Sequence, residues 1–134
     1  MPVSGDITTL NYSHPTLGSG VLYAKAGEES TYSLGGIRTE DDVNSIDGGG
    51  QSIDVMKRER WFFEVPISWD MNDKEELEKL SQMAASPVPG DWTVSHINGI
   101  IYGGKGKPVG DVNGNGGAGT IAVKISGGGI LKKI

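Results

Sequence analysis

The sequence contains no cysteine, which excludes disulfide bridges, thiolate metal sites and a small secreted disulfide scaffold. No apolar run approaches the length of a transmembrane helix, and the segment 1–6 has neither the charged nor the apolar region of a signal peptide. We therefore expect no leader and no membrane anchor. Glycine is abundant instead, with 22 residues in 134, concentrated in turns and in the last third. This composition favours many short strands joined by tight turns over a helical protein.

Positive charge is scarce in most of the chain. Residues 1–103 hold 16 acidic and 7 basic residues, a balance of −9, whereas residues 104–134 hold five lysines and one aspartate, a balance of +4. A duplex-binding groove needs clustered arginine and lysine, and the body of this chain has the opposite sign. The asymmetry fits either a solvated surface with a basic C-terminal strand or complementary ends that attract one another between subunits.

Residues 60–84 combine an alternating strand with the one convincing helix. Side chains in a strand point to opposite faces in turn, so the odd-numbered residues from 61 to 69 form one apolar face. Pro66 has no N–H to donate, which places this strand at an edge or at a bulge. A helix is predicted over Asp73–Ala84, with Asn72 as the N-cap and Glu75 completing a capping box. Its apolar stripe should cover the strand, which gives a predicted shared core of Trp61, Phe63, Val65, Ile67, Trp69, Leu77 and Leu80.

The first half of the chain is less regular. Residues 1–19 are polar with a short β-prone piece, and we interpret them as a possible N-terminal arm. Residues 36–58 form a long, weakly structured loop that carries Glu40, Asp41, Asp42 and Asp47, followed by three glycines. Such a loop is uncommon inside a compact domain. It is either a flexible insertion, poorly ordered until assembly, or an extended hairpin that packs on something outside the domain.

The last third again predicts strands. Asn98-Gly99 between two β-prone runs is a strong hairpin signal. Residues 120–126 alternate with Ile121, Val123 and Ile125 on one face, and Ile130–Ile134 is a short apolar-basic strand. We predict a single, mainly β domain over residues 1–134, with about seven strands and one helix.

The sequence gives only weak signals for a metal, phosphate or catalytic site. The segment Asp111–Gly116 resembles the first half of a calcium loop, but position twelve is Ala122 where a bidentate glutamate is needed. The lysine- and glycine-containing segment Gly103–Lys107 lacks Walker spacing and a following helix. Neither His14 nor His96 has a partner at metal-ligand spacing. The sequence contains no recognisable nucleophile elbow or catalytic triad. The sequence predicts no catalytic site, metal or cofactor, and hence no enzyme.

The order of features over residues 60–134 resembles the tail tube proteins of tailed bacteriophages, a family related to the hemolysin-coregulated tube protein of type VI secretion. The N-terminal third matches that family in kind alone, as short strands followed by a long acidic loop. The resemblance rests on an aromatic strand, a short helix, a hairpin turn, glycine-rich pieces and a closing strand: Trp61–Trp69, Asp73–Ala84, Asn98-Gly99, Gly103–Gly106, Val109–Asp111, Gly119–Ser126 and Gly129–Lys133.

This resemblance implies a small two-sheet β-barrel or sandwich flanked by a helix. Six copies would form a ring, and rings would stack into a tube whose β-lined channel conducts DNA during ejection, without a cofactor or an active site. The implied setting is the phage tail of a virion, assembled in the host cytoplasm, with tail sheath, baseplate and tail terminator proteins as partners. A short chain with no decoration domain favours a contractile tail with an outer sheath.

Site residues follow as expectations. A net negative channel would let DNA slide without specific binding, and Glu64 and Asp70 are the candidates to face it. The acids of the long loop and the C-terminal lysines should lie outside it, at seams between subunits or rings: Glu40, Asp41, Asp42, Asp47, Lys105, Lys107, Lys132 and Lys133. The alternative is a β-sandwich binding module for carbohydrate, or one dependent on calcium, with Trp92 and Tyr102 as an exposed aromatic platform.

Overall fold

In the part of the chain that the structure describes, the protein is mainly β, with one short helix, one large antiparallel sheet and two small sheets. The computed structural model describes residues 3–27, 30–40, 44–72 and 75–134. In chain order the elements are β1 (Ile7–His14), β2 (Gly18–Tyr23), β3 (Thr31–Ser33), β4 (Gly36–Thr39), β5 (Ser45–Ile46), β6 (Ser52–Ile53), β7 (Met56–Glu59), β8 (Trp61–Ser68), α1 (Glu76–Ala85), β9 (Gly90–His96), β10 (Ile101–Pro108), β11 (Asn113–Asn115), β12 (Thr120–Gly127) and β13 (Lys132–Lys133). The additional strands beyond the seven predicted ones are short.

The large sheet has nine strands and bends at β10. Its order is β2-β1-β9-β10-β12-β8-β3, with β11 paired to β12 and β13 paired to β10. Residues 101–106 of β10 pair with β9, whereas residues 107–108 pair with β12. Ala24, just after the edge strand β2, approaches β8 near the other end of the sheet at a single antiparallel bridge to Ile67. In the residues described, the strands therefore form no closed barrel.

The N-terminal segment is part of the core, so the expectation of an arm is wrong for residues 7–14. β1 lies between β2 and β9 and is hydrogen-bonded to both. Its Ile7, Leu10 and Tyr12 are buried, and the Tyr12 ring lies 5.3 Å from the ring of Trp92. The polar character of this segment comes from the alternating residues that do not face the core.

β8 supplies the centre of the core. Trp61, Phe63 and Ile67 are completely buried, Val65 is nearly so, and Trp69 beyond the strand is half-buried against the same cluster. β12 pairs with β8 along its full length. The carbonyl of Pro66 accepts a hydrogen bond from the Lys25 N–H on the other side, beyond the end of β3. Because the N and C=O of one strand residue point the same way, the missing N–H of Pro66 falls where no ladder continues.

The helix begins later than predicted. α1 starts at Glu76, and its N-cap position is Glu75, which makes no side-chain capping hydrogen bond, so the assignment of Asn72 as N-cap is wrong. The predicted helical start at Asp73 lies outside the described residues. The buried carboxylate of Glu76 instead accepts a hydrogen bond from the Asp70 N–H at 3.3 Å, which ties the helix to the end of β8. Leu80 is fully buried and Leu77 is half-buried, and α1 packs on β10. In the described part, no helix is long and apolar enough to cross a membrane.

The Asn98-Gly99 turn joins β9 to β10, as the sequence predicts. Gly99 has φ 88°, whereas Asn98 keeps a negative φ and uses its side-chain oxygen to accept the Ile100 N–H. The left-handed conformation is therefore confined to the glycine, which alone adopts it without a steric cost.

Candidate functional site: a projecting hairpin and a basic groove

Over its described residues, 36–40 and 44–58, the long acidic stretch folds as a β-hairpin, which is the conformation named in the second of the two alternatives. β4 pairs with β7 from Gly36↔Glu59 to Thr39↔Met56, and β5 pairs with β6 nearer the tip. The Glu40 N–H donates to the Val55 carbonyl at 2.7 Å between the two ladders. The stretch thus satisfies much of its own backbone by pairing strand with strand.

The turn at the tip is held by one carboxylate. Asp47 Oδ1 accepts hydrogen bonds from the N–H groups of Gly49 and Gln51 at 2.8 and 3.0 Å, and the Asp47 carbonyl accepts the Gly50 N–H at 3.0 Å. Gly50 has φ 83°, in the left-handed region. Aspartate followed by glycines is the residue choice that such a turn requires.

The hairpin exposes large apolar side chains. Ile37, Ile46 and Met56 are 65%, 70% and 64% exposed, and every described residue from 44 to 60 is exposed. Scattered exposed apolar residues are ordinary, but several on one projecting element form a surface that gains free energy when another surface covers it.

Charged groups clamp the base of the hairpin. Lys57 Nζ lies 2.7 Å from Glu40 Oε1 and 3.3 Å from Glu59 Oε1. The hydrogen bond to Glu40, followed by that to Glu59, raises the pKa of Lys57 above its ordinary value of 10.5. Of the acids assigned to seams, Glu40 is therefore an ion-pair partner within the hairpin and Asp47 is the turn residue. Asp41 and Asp42 lie outside the described residues.

The C-terminal lysines separate into two groups. Lys105 and Lys107 line a groove of about 410 Å³ together with Arg60, whereas Lys132 and Lys133 lie on β13. Sequence reasoning missed Arg60, because its distance along the chain gives no sign that it meets β10. No acidic side chain is among the residues that line this groove.

Backbone contacts hold two of the three basic side chains in place. An Arg60 Nη donates to the Ser126 carbonyl at 3.2 Å, and Lys107 Nζ donates to the Ser86 carbonyl at 3.2 Å. Ser86 is the C-cap of α1, where the helix dipole favours a cation. The groove is therefore a preformed positive surface.

The candidates for a channel surface lie at β8. Glu64 is half-exposed and lies 3.4 Å from Lys124 Nζ, which stands directly opposite it in the β8–β12 ladder and 4.8 Å from the Phe62 ring centroid. Asp70 follows β8 and accepts the Asn72 N–H at 2.9 Å. Glu64 is thus one half of an ion pair, which the sequence pattern did not indicate.

The aromatic platform of the alternative interpretation is not present in the predicted form. Trp92 is 1% exposed, and its indole N–H donates to the Gly106 carbonyl at 3.1 Å. Tyr102 does line a cavity of about 550 Å³, together with Tyr32 and His96. The Tyr32 and Tyr102 rings lie 5.8 and 5.9 Å from the His96 ring.

The two histidines have different surroundings. His14 is buried, with its Nδ1 accepting the N–H groups of Thr16 and Leu17 and its Nε2 2.9 Å from the Val88 carbonyl, so it organises the turn after β1. His96 Nδ1 is 2.9 Å from the Ile100 carbonyl, whereas its buried Nε2 has no hydrogen-bond partner in the described protein. Because a carbonyl can only accept, His96 donates from Nδ1, and in the neutral ring Nε2 is then the acceptor.

The calcium-like segment is a side-chain-stabilised turn. Asn115 Oδ1 accepts the N–H groups of Gly117 and Ala118 at 3.1 and 3.2 Å, and β11 pairs with β12. Over the described ranges, no group of three His, Cys, Asp or Glu side chains is placed to hold a metal ion. The asparagine oxygen that a calcium loop would use is occupied by the backbone.

Comparison with known protein families found no family model that matches this chain, and comparison with curated proteins found no significant match.

Proposed function

We propose that this chain is a structural subunit that assembles with copies of itself into rings, and that the rings stack into a tube of the phage tail type. In this proposal six copies form each ring, the lumen conducts DNA during ejection, and a contractile sheath surrounds the tube. The observation that carries it is the projecting hairpin of residues 36–59, whose exposed Ile37, Ile46 and Met56 have no covering surface in the described single chain. A partner that covers them buries apolar area, which is the dominant favourable term in association.

The shape of the large sheet supports the same proposal. The sheet bends at β10, and the end of its edge strand β2 approaches β8 at the bridge from Ala24 to Ile67. We interpret this as the small two-sheet barrel or sandwich of tail tube proteins. β2 pairs along one side with β1, and residues 18–22 of its other side offer backbone groups to a neighbouring subunit in a closed ring.

The charge distribution supports a channel that does not retain DNA. Residues 1–103 carry a balance of −9, and in a six-fold ring each unpaired acid becomes a ring of six. Such rings act on a passing duplex within a Debye length of about 8 Å. Glu64 contributes little net charge while it is paired with Lys124, and Asp70, just beyond the end of β8, is the second lumen candidate. The groove of Arg60, Lys105 and Lys107 belongs outside the lumen, because a positive wall would hold the DNA phosphates.

Electron microscopy of the purified protein tests the proposal directly. We expect six-fold rings or hollow tubes for the native chain, and loss of both when Asp47–Gly50 is deleted while the circular dichroism spectrum of the fold is unchanged. A tube lumen lined mainly by lysine would contradict the proposed negative channel. Native-length tubes from the deletion variant would contradict the assembly role of the hairpin.

A second candidate function is small-molecule binding at the Tyr32–His96–Tyr102 cavity. The buried acceptor at His96 Nε2 favours it, because a ligand hydroxyl group could donate to that nitrogen while the tyrosine rings cover an apolar face. A protein that stays monomeric in the microscope, and whose His96 resonances shift on addition of a monosaccharide, would favour this function over the tube.

A further inference from the structure

The basic groove is built where two strands cross unusually closely. A side chain at Gly127 would overlap the Lys105 carbonyl, and one at Gly106 would overlap the Ser126 carbonyl, so glycine at both positions permits the crossing of β10 and β12. Trp61 lies directly beneath both glycines. This crossing forms the floor of the groove, and it lets side chains from distant parts of the sequence meet at one surface.

Three positive charges lie around this floor. Lys105 and Lys107 are two residues apart on β10, so they project from the same face of the strand. Arg60 joins them from the end of the hairpin, and Pro87 and Pro89 form an apolar side. Asp91 stands opposite Lys105 in the β9–β10 register but does not line the groove. Like charges held together repel one another, and an anion placed between them removes that repulsion.

The hairpin tip has the complementary properties. Asp47 uses Oδ1 to hold the turn, and within the described part of the chain no hydrogen bond occupies its Oδ2. Gly48, Gly49 and Gly50 leave the tip without bulky side chains, and a Cβ at Gly48 or Gly50 would meet nothing within 4 Å. The tip is therefore a narrow loop with one available carboxylate oxygen.

We infer that the Arg60–Lys105–Lys107 groove accepts the Asp47 hairpin tip of a second copy of this chain. Arg60 directly follows the base of the hairpin at Glu59, whereas Asp47 is at its opposite end, so tip and groove of one extended chain do not meet. A donor surface and an acceptor surface at different places on one molecule produce a head-to-tail contact, which repeats from copy to copy. The inference rests on the proposed self-assembly and names the two surfaces that carry it.

The other lysines do not form an equivalent acceptor. Lys132 and Lys133 are adjacent in β13, so their side chains point to opposite faces of the strand. Lys133 lines the His96 cavity, where the lining residues include no arginine and no second lysine. Duplex DNA is a less suitable occupant of the groove, because the body of the chain is strongly acidic and repels the DNA phosphates.

A double-mutant cycle tests the contact. Asp47→Asn keeps the Oδ1 acceptor of the turn and removes the charge, and Lys105→Gln removes a lysine that makes no hydrogen bond to the described chain. We expect each substitution to raise the critical concentration for assembly about five-fold at low salt, and the pair to raise it by about the same factor instead of about 25-fold, because one interaction is lost in all three variants. The matched controls Asp54→Asn and Lys79→Gln remove one charge each from the hairpin and from the exposed face of α1, and should leave the critical concentration within about two-fold.

The outcomes separate the two levels of the proposal. If the native chain assembles but the effects of Asp47→Asn and Lys105→Gln multiply, or either has no effect, the groove is not the acceptor and the tube proposal stands. If the native chain forms neither rings nor tubes at any concentration, both proposals fail. Retention of a 20-base-pair duplex that is lost on Lys105→Gln would also overturn the inference, since the groove would then be a phosphate site.

Discussion

The indole N–H of Trp61 donates a 3.0 Å hydrogen bond to the carbonyl of Gly128, 67 residues further along the chain. The Ser126 hydroxyl donates to the Trp61 carbonyl at 2.8 Å, so the first residue of β8 is tied to the end of β12 through both its side chain and its backbone. Trp61 is fully buried. These contacts keep the glycine-rich segment after β12 against the core and fix the floor of the basic groove.

Gly127→Ala tests the close crossing at this floor. The added methyl group would overlap the Lys105 carbonyl and lie 2.8 Å from the Trp61 ring, which forces β10 and β12 apart. We expect a loss of about 1–3 kcal/mol in the free energy of unfolding, measured from denaturant midpoints. Gly128→Ala is the matched control, since a Cβ there meets nothing within 4 Å and should cost far less. Equal effects of the two substitutions would show that the crossing tolerates a side chain.

Trp61, the first residue of β8, and Trp69, just beyond its end, should differ in their contribution to stability. Trp61 is fully buried, so Trp61→Ala should cost about 3–5 kcal/mol. Trp69 is half-buried and packs its ring over Gly114, so Trp69→Ala should cost about half as much. Denaturant unfolding of the two variants measures the difference. A larger loss for Trp69 would mean that it, and not Trp61, anchors the strand.

Lys57 gives the hairpin a dependence on alkaline pH. Its pKa is raised in the folded state, so its contribution is complete below the ordinary value of 10.5 and is lost as the pH rises through the folded value. We expect an NMR titration of the Lys57 side chain to have its midpoint above 10.5. Glu40→Gln should lower that midpoint more than Glu59→Gln, because Glu40 makes the shorter contact, 2.7 Å against 3.3 Å. The reverse order would show that the Glu40 contact does not dominate in solution.

The sequence predicted local structure correctly where the side-chain periodicity of one segment matched one buried face. The alternation from Trp61 to Ile67 identified a buried strand face, because a side-chain period of two leaves no other way to bury those residues together. The Asn98-Gly99 turn could be predicted for a similar reason, since the turn itself requires a glycine in the left-handed conformation. The start of α1 was not predicted, because the Glu76 carboxylate bonds to Asp70 in place of the cap that Asn72 could have provided.

The sequence by itself determined that the protein is mainly β, that β8 has one apolar face, and that a long glycine-rich acidic stretch interrupts the domain. The tertiary structure decided which elements meet. It placed β1 in the middle of the sheet, paired Glu64 with Lys124, and separated the C-terminal lysines into two groups. It also brought Arg60 to Lys105 and Lys107, because β12 pairs with β8 and crosses β10 at two glycines. Periodicity specifies which face of a strand is apolar, but strand order depends on long-range pairing, and the groove exists only once that order is set.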